Sequence, residues 1–150
     1  MPLIVTGTVG IDTVHTPTDK AEQVLGGSCV YFAAAASFFT KVRVVAVAGG
    51  DLSEAHFNVF KKFPSIDVDG LEIRKGSKTF AWGGRYLDDM NERETLFTDL
   101  NVLTEHPPKP PEKYRDSKFV FLANTHPKIQ HELLQSFPQR VISVADTMNL

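Results

Sequence analysis

The order of apolar and polar positions along the chain predicts strands and helices in turn. Residues 3–9 form a short β-rich run that ends at Asp12. Residues 28–40 are apolar nearly all round, which predicts a buried helix, and residues 42–48 are a continuous apolar run. Such a run is typical of a strand in a parallel sheet that is covered on both faces. The alternation therefore predicts an α/β fold.

The same rhythm continues on both sides of an interruption. Ser53 is a good N-cap for a helix through about residue 63, whereas residues 13–21 are polar, contain Pro17 and are predicted as a loop or an edge segment. Late in the chain we predict a buried strand, a helix that begins at a proline, and a further strand. These three elements occupy residues 118–123, 127–137 and 141–145.

Between these blocks the pattern becomes extended and half-exposed. Short alternating runs across residues 70–102 predict a small antiparallel β lid that is inserted in the α/β core. Residues 13–25 are a further segment that can contribute to it. Some side chains of the lid are candidates to face a substrate or a partner subunit. They are Phe80, Trp82, Arg85 and Tyr86.

Composition narrows the classes of function. The 150 residues, 42% apolar and 23% charged, fit one soluble globular domain, and no apolar stretch is long enough to span a bilayer. A net charge of −2 gives no electrostatic reason to expect a nucleic acid or a membrane as partner. The single cysteine, Cys29, agrees with a reducing cytoplasm. His126 and His131 are five residues apart, so no metal site is predicted.

Two features indicate a site for a small molecule. Gly26 and Gly27 precede the alanine-rich helix, where bare backbone N–H groups let a ligand approach the main chain closely. Asp12 follows the first predicted strand, and open α/β sheets bind ligands outside the carboxyl ends of their strands. A carboxylate at that position can accept charge-assisted hydrogen bonds from hydroxyl groups.

Several marks along the chain together carry a family resemblance. In order they are Gly7-Thr8-Val9-Gly10-Ile11-Asp12, the Gly26-Gly27 pair, Val45-Ala46-Val47-Ala48-Gly49-Gly50-Asp51, the lid, and Phe119-Val120-Phe121-Leu122-Ala123-Asn124. The chain resembles the N-terminal half of the ribokinase-like, PfkB-type carbohydrate kinases over essentially all of its residues. The resemblance implies a partial three-layer Rossmann-type sandwich with a β lid. It also implies phosphoryl transfer from ATP, with Mg²⁺, to a hydroxymethyl group of a sugar or nucleoside.

The resemblance also implies which residues contact the substrate. Asp12 takes the position of the family's substrate aspartate, and Gly26 and Gly27 match its substrate-binding glycine pair. Tyr31 stands where many members carry asparagine, which leaves ribose specificity open. Asn124 ends a strand where several members place an acidic or amide residue toward the sugar, and a turn asparagine is the alternative.

Two more expectations come from the same resemblance. Asp146 and Asn149 resemble an Asp-x-Asn segment near the phosphate path, although the spacing here is one residue longer. Lids of this kind also form dimer contacts in the family, so a homodimer through the β lid is expected as a partner state.

What the sequence lacks limits the implied activity. Gly84 is the last glycine, so there is no late Gly-rich segment with a catalytic aspartate, and there is no P-loop. We therefore expect no catalytic residue here, and expect the chain to be a fragment of a longer kinase or a truncated product. The alternative is a non-catalytic sugar-binding or dimerisation module. A dinucleotide-binding domain is disfavoured, because Gly7 and Gly10 do not give the G-x-G-x-x-G order.

Overall fold

The computed structural model describes residues 2–148 and contains two sheets. The strands are β1 (Leu3–Thr6), β2 (Gly10–His15), β3 (Lys20–Gly26), β4 (Val42–Gly49), β5 (Ile66–Arg74), β6 (Phe80–Tyr86), β7 (Arg93–Asp99), β8 (Phe119–Leu122) and β9 (Ile142–Ala145). A five-stranded core sheet has the order β5-β4-β1-β8-β9 and is parallel throughout. A four-stranded sheet, called the lid sheet below, has the order β3-β2-β6-β7.

Three helices cover the core sheet. They are α1 (Ser28–Ala36), α2 (Glu54–Lys61) and α3 (Pro127–Gln135), and two 3₁₀ turns span Asn101–Thr104 and Glu112–Tyr114. Within residues 2–148, no helix is both long enough and apolar enough to cross a membrane.

Side chains of the core strands alternate between two apolar layers. Val5 and Val44 pack with α1 and α2 in one layer, whereas Ile4 and Val45 pack with α3 and Tyr114 in the other. Seven of the eight residues of β4 are buried, as the continuous apolar run predicts for a strand covered on both faces. The α/β prediction and the partial three-layer sandwich are therefore confirmed.

The first strand is shorter than predicted. It ends at Thr6, because Gly7 has φ 142° and turns the chain away where its Cα lies against Ala123. Asp12 therefore lies inside β2 of the lid sheet and not at the end of the first core strand. Of the two alternatives for residues 13–21, the edge segment is the one found: β2 and β3 pair antiparallel there, and β3 is an edge strand of the lid sheet, as expected for a contribution of residues 13–25 to the lid. β2 and β3 each have only two buried positions, so their sequences are as polar as that of a loop.

The boundary and the pairing of the lid differ from the prediction as well. Residues 70–74 belong to β5, which pairs parallel with β4 at the edge of the core sheet. β5 was assigned to the lid because a half-buried edge strand of the core has the same alternation of apolar and polar residues as a lid strand. Within the lid sheet, β2–β3 and β6–β7 are antiparallel, but β2 and β6 are parallel.

The first helix also ends early. It stops at Ala36, where the Ser37 hydroxyl donates to the Ala34 carbonyl oxygen at 2.7 Å. Phe38 and Phe39 follow the helix and are 78% and 91% exposed, so the end of the predicted buried helix is a surface turn.

Candidate functional site

Asp12 lies in the middle of the lid sheet, beside the glycine pair. The residue is 8% exposed, and its Oδ1 is buried without a hydrogen-bond partner. Burial raises the pKa of Asp12, and a hydrogen bond from the Gly27 N–H opposes that rise. A buried polar atom without a partner carries a desolvation cost. A donor from a bound ligand would remove that cost.

Close approach explains both glycines. A Cβ built on Gly26 would overlap the Asp12 carboxylate, so any other residue there would push the carboxylate away. Gly27 has φ 98°, and a Cβ there would overlap the Thr8 carbonyl oxygen. The structure thus brings Asp12, Gly26 and Gly27 together, as expected from the sequence.

The start of α1 connects the Gly26-Gly27 turn to the edge of the core sheet at which its strands end. The Ser28 N–H donates to Thr8 Oγ1 at 3.2 Å, and the Ser28 hydroxyl donates to the Asn124 carbonyl oxygen at 3.2 Å. The Cys29 N–H donates to the Thr8 carbonyl oxygen at 3.1 Å. Asn124, which follows β8, therefore lies beside the turn that carries the glycine pair. Sequence reasoning did not identify Thr8 and Ser28, because the two residues are twenty positions apart along the chain.

The face of the lid sheet that carries Asp12, called the inner face below, also carries aromatic rings. Trp82 is the register partner of Asp12, and Phe80 is that of Gly10. A Cβ built on Gly10 would lie 2.9 Å from Phe80 Cδ1 and 3.2 Å from Asp12 Oδ1, so ring and carboxylate are on one side. Two of the predicted lid residues therefore share the face of the candidate carboxylate.

Tyr31 extends from α1 toward the inner face. Burial raises the pKa of Tyr31, and the negative charge of the nearby Asp12 carboxylate raises it further. Tyr31 is nonetheless 60% exposed, so its ring is accessible to a ligand. A neutral tyrosine hydroxyl can both donate and accept a hydrogen bond.

Arg85 lies on the opposite face of the lid sheet. It alternates with Trp82 and Tyr86 along β6, and its register partners are His15 and Glu94. Its Nη1 is 3.9 Å from a Glu94 carboxylate oxygen, in an exposed ion pair. The structure therefore separates Arg85 from Asp12, unlike the other three lid residues predicted from the sequence, which alternate onto the inner face.

One buried threonine fixes the base of the lid to the core sheet. Thr79, 1% exposed, donates its hydroxyl to Asp51 Oδ1 at 2.6 Å and accepts from the Gly49 N–H at 2.9 Å. Its N–H donates to the same Asp51 oxygen at 2.8 Å, and its carbonyl oxygen accepts from Asn101 Nδ2 at 2.8 Å. Burial would raise the pKa of Asp51, but these bonds lower it below its usual value. Sequence reasoning missed this anchor.

A second anchor lies at a bulge in β3. Register shifts between Asp12 and Val14, and Gln23 adopts φ 52° on the bulged strand. The Gln23 carbonyl oxygen lies 2.8 Å from Nε2 of the buried His56, whose Nδ1 accepts from the Ser53 N–H at 3.0 Å. These bonds fit a neutral imidazole with its proton on Nε2. The start of α2 thereby fixes the strand that leads to Gly26.

Asp146 caps its own turn at the end of β9. Its Oδ1 accepts from the Met148 N–H at 2.9 Å. Its carbonyl oxygen accepts from Nε2 of the buried Gln130 at 3.0 Å, and the same nitrogen contacts the carbonyl oxygens of Leu122 and Ala123. Gln130 thus organises two neighbouring strand ends and was not identified from the sequence. Asn149 lies outside the described residues.

The described part of the chain contains no group of three or more histidine, cysteine, aspartate or glutamate side chains that could hold a metal ion. Cys29 is fully buried, and burial raises the pKa of its thiol to about 12. It therefore lacks the thiolate that a nucleophile needs.

Comparison with known proteins gives a clear result for the fold. No family model matches the chain, and no curated protein matches it. Solved structures do. The chain is similar to a ribokinase from Cryptococcus neoformans in complex with ADP, with a TM-score of 0.74 and 18% identity, over 99% of this chain and 51% of that one.

Two further kinases show the same relationship. A fructokinase from Xylella fastidiosa with bound ATP has a TM-score of 0.74 and 16% identity, over 99% of this chain and 52% of that chain. A Burkholderia thailandensis nucleoside kinase in complex with inosine has a TM-score of 0.72 and 11% identity. The match covers 98% of this chain and 51% of that one. The chain therefore has the ribokinase-like fold and spans about half the length of the kinases that it matches.

Proposed function

We propose that this chain binds the sugar or nucleoside acceptor of an ATP-dependent kinase. The observation that carries the proposal is the buried, unpartnered Oδ1 of Asp12 beside the Gly26-Gly27 turn. A carboxylate held in this way accepts hydrogen bonds from hydroxyl groups, and the missing Cβ atoms let the ligand reach the backbone.

Neighbouring groups have separate roles in this proposal. Tyr31 offers a hydroxyl and an accessible ring, while Phe80 and Trp82 form the apolar surface opposite. Asn124 borders the site through its link to Ser28. Closing the lid over the acceptor would exclude water and strengthen the contacts to Asp12.

The kinases that share the fold support the nucleotide part of the proposal. One was solved with ADP, one with ATP and one with inosine. ATP with Mg²⁺ would supply the phosphoryl group and neutralise its charge. We assign no described residue to Mg²⁺ and no catalytic step to this chain, which we propose acts on the acceptor side. The one cysteine supports a cytoplasmic location.

A lid-mediated homodimer is part of the proposal. β7 is an edge strand of the lid sheet, and Leu96, Phe97 and Leu100 are 40%, 38% and 52% exposed on or beside it. Exposed apolar side chains next to an unpaired strand edge favour association with another strand. Light scattering over a range of protein concentrations measures this association directly.

Titration calorimetry of the 150-residue chain with ribose, fructose, adenosine and inosine tests acceptor binding. We expect at least one of these ligands to bind, and Asp12→Asn to weaken it roughly tenfold or more. The reason is that the variant keeps the size of the side chain but loses the charge, and hydrogen bonds to charged groups are worth about 1.5–3 kcal/mol. Gly26→Ala should also lose binding, because its Cβ displaces the carboxylate.

Asp99→Asn is the matched control, since Asp99 is an exposed aspartate on the outer face of the same sheet. It should bind as the unmodified chain does. Absence of binding for all four ligands, or equal binding by the Asp12→Asn variant, would refute the proposal.

A further inference from the structure

Two aromatic rings of the inner face lie over glycine positions of the lid sheet. A Cβ built on Gly84 would overlap the six-membered ring of Trp82, and one built on Gly10 would contact Phe80. Both rings therefore lie across neighbouring strand positions that have no side chain. A ring that covers backbone with one face offers its other face to the space above the sheet.

That space is accessible to planar groups. The guanidinium carbon of Arg93 lies 5.6 Å from the centre of the Trp82 ring, in a cation–π contact. At an exposed site such a contact is weak, so a ligand can displace the guanidinium or stack beside it. Trp82 thus packs against a planar, delocalised group.

The distance between the carboxylate and this surface fits an acceptor with two parts. Trp82 is opposite Asp12, and its ring extends to Gly84, two residues further along β6. Two residues of a parallel strand span about 6.6 Å. Tyr86, two residues beyond Gly84 on β6, continues the aromatic row on the same face. A sugar ring that is hydrogen-bonded to Asp12 would place its substituent against this row of aromatic side chains.

We infer that the acceptor is a nucleoside, whose ribose binds Asp12 and whose base stacks on Trp82. This inference rests on the proposed function, which a sugar alone would also satisfy. A free pentose has hydroxyl groups for Asp12 but no planar group to cover the aromatic row. A nucleoside satisfies both parts of the inner face.

Trp82 is the only tryptophan of the chain, so its fluorescence reports on the stacking surface directly. We expect adenosine or inosine to quench this fluorescence and to bind at least about tenfold more tightly than ribose. Trp82→Leu should lower nucleoside affinity roughly fivefold to a hundredfold, on the scale of base–aromatic stacking. Calorimetry should show little change in ribose affinity for the same variant.

Phe39→Leu is the matched control, because Phe39 is an exposed aromatic residue outside the lid sheet. It should leave all affinities unchanged. Ribose or fructose binding as tightly as nucleosides, or an equal loss of ribose and nucleoside affinity in Trp82→Leu, would overturn the nucleoside assignment while acceptor binding stands. If no ligand binds at all, the proposed function fails and the assignment fails with it.

Discussion

The core sheet and the lid sheet use similar extended backbone for opposite purposes. In β4 seven of eight residues are buried, whereas all seven residues of β7 are exposed. Helices α1 and α2 lie on one side of the central core strands and α3 lies on the other, so the side chains of β4 pack against protein. Only toward the edge does the core sheet become exposed, as at all four positions of β9. We propose that the rings and the carboxylate on the inner face of the lid sheet bind a ligand. On this proposal the buried sheet provides the frame and the thinner sheet provides the recognition.

The largest test of this comparison removes one phenylalanine from each region. Phe137 is fully buried in the layer of α3, whereas Phe97 is 38% exposed on the lid sheet. We expect Phe137→Ala to lower the free energy of unfolding by about 3–5 kcal/mol, because it leaves a cavity in the core. Phe97→Ala should cost about 1 kcal/mol or less. Urea denaturation followed by circular dichroism measures both values.

Equal losses for the two variants would show that the lid packs as tightly as the core. A loss for Phe97→Ala that grows with protein concentration would instead support the proposed lid-mediated dimer, since association adds to stability by mass action.

A smaller effect is expected where the two sheets meet. Thr79→Val keeps the shape of the side chain but leaves the buried Gly49 N–H without its acceptor and removes a donor from Asp51. We expect a loss of about 1–3 kcal/mol, the cost of an unsatisfied buried group. Hydrogen exchange should show faster exchange across β6 and β7, with the β4 amides other than Gly49 unchanged.

Thr98→Val is the control for this anchor, because Thr98 is exposed on β7 and its replacement should change stability by less than about 0.5 kcal/mol. Equal acceleration of exchange in β4 and in the lid strands would argue against a local anchor. It would mean that the lid and the core open together.

The same contrast explains how much of the fold the sequence predicted. β4 was found because a strand that is buried on both faces is apolar at consecutive positions, which is a local signal. β2 and β3 were predicted only as the end of the first strand and as a loop or edge segment, because their few buried residues give no such signal. Their place depends on parallel pairing with β6, about seventy residues away.

The candidate site divides in the same way. Asp12 and the glycine pair were found from a motif, and the structure brings them together. Thr79 and Gln130 were not found, although both are buried and organise the surroundings of the site. Their importance comes from partners that are distant in sequence, and a lone threonine or glutamine gives no pattern to detect. Recognition residues follow a motif, whereas the residues that position them depend on the tertiary fold.

The smallest expected effect compares two aspartates whose pKa values shift in opposite directions. Burial raises the pKa of Asp12, so its charged form is less favourable in the folded chain than in the unfolded chain. Its contribution to stability is present below the unfolded pKa and is lost as pH rises through the folded value. Asp12→Asn should therefore be at least as stable as the unmodified chain at pH 7, by a margin that disappears near pH 3.8.

Asp51 should behave in the opposite way, because its bonds to Thr79 outweigh burial and lower its pKa. Its contribution is present at neutral pH and is lost as pH falls through the folded value, below the ordinary 3.8. Asp51→Asn should be less stable than the unmodified chain at pH 7, and the difference should shrink on acidification. Urea midpoints of both variants between pH 3 and 7 measure this contrast. Two variants with the same sign of change at pH 7 would contradict it. Opposite signs would show that the charge of the lid carboxylate lowers folding stability at pH 7, whereas that of Asp51 raises it.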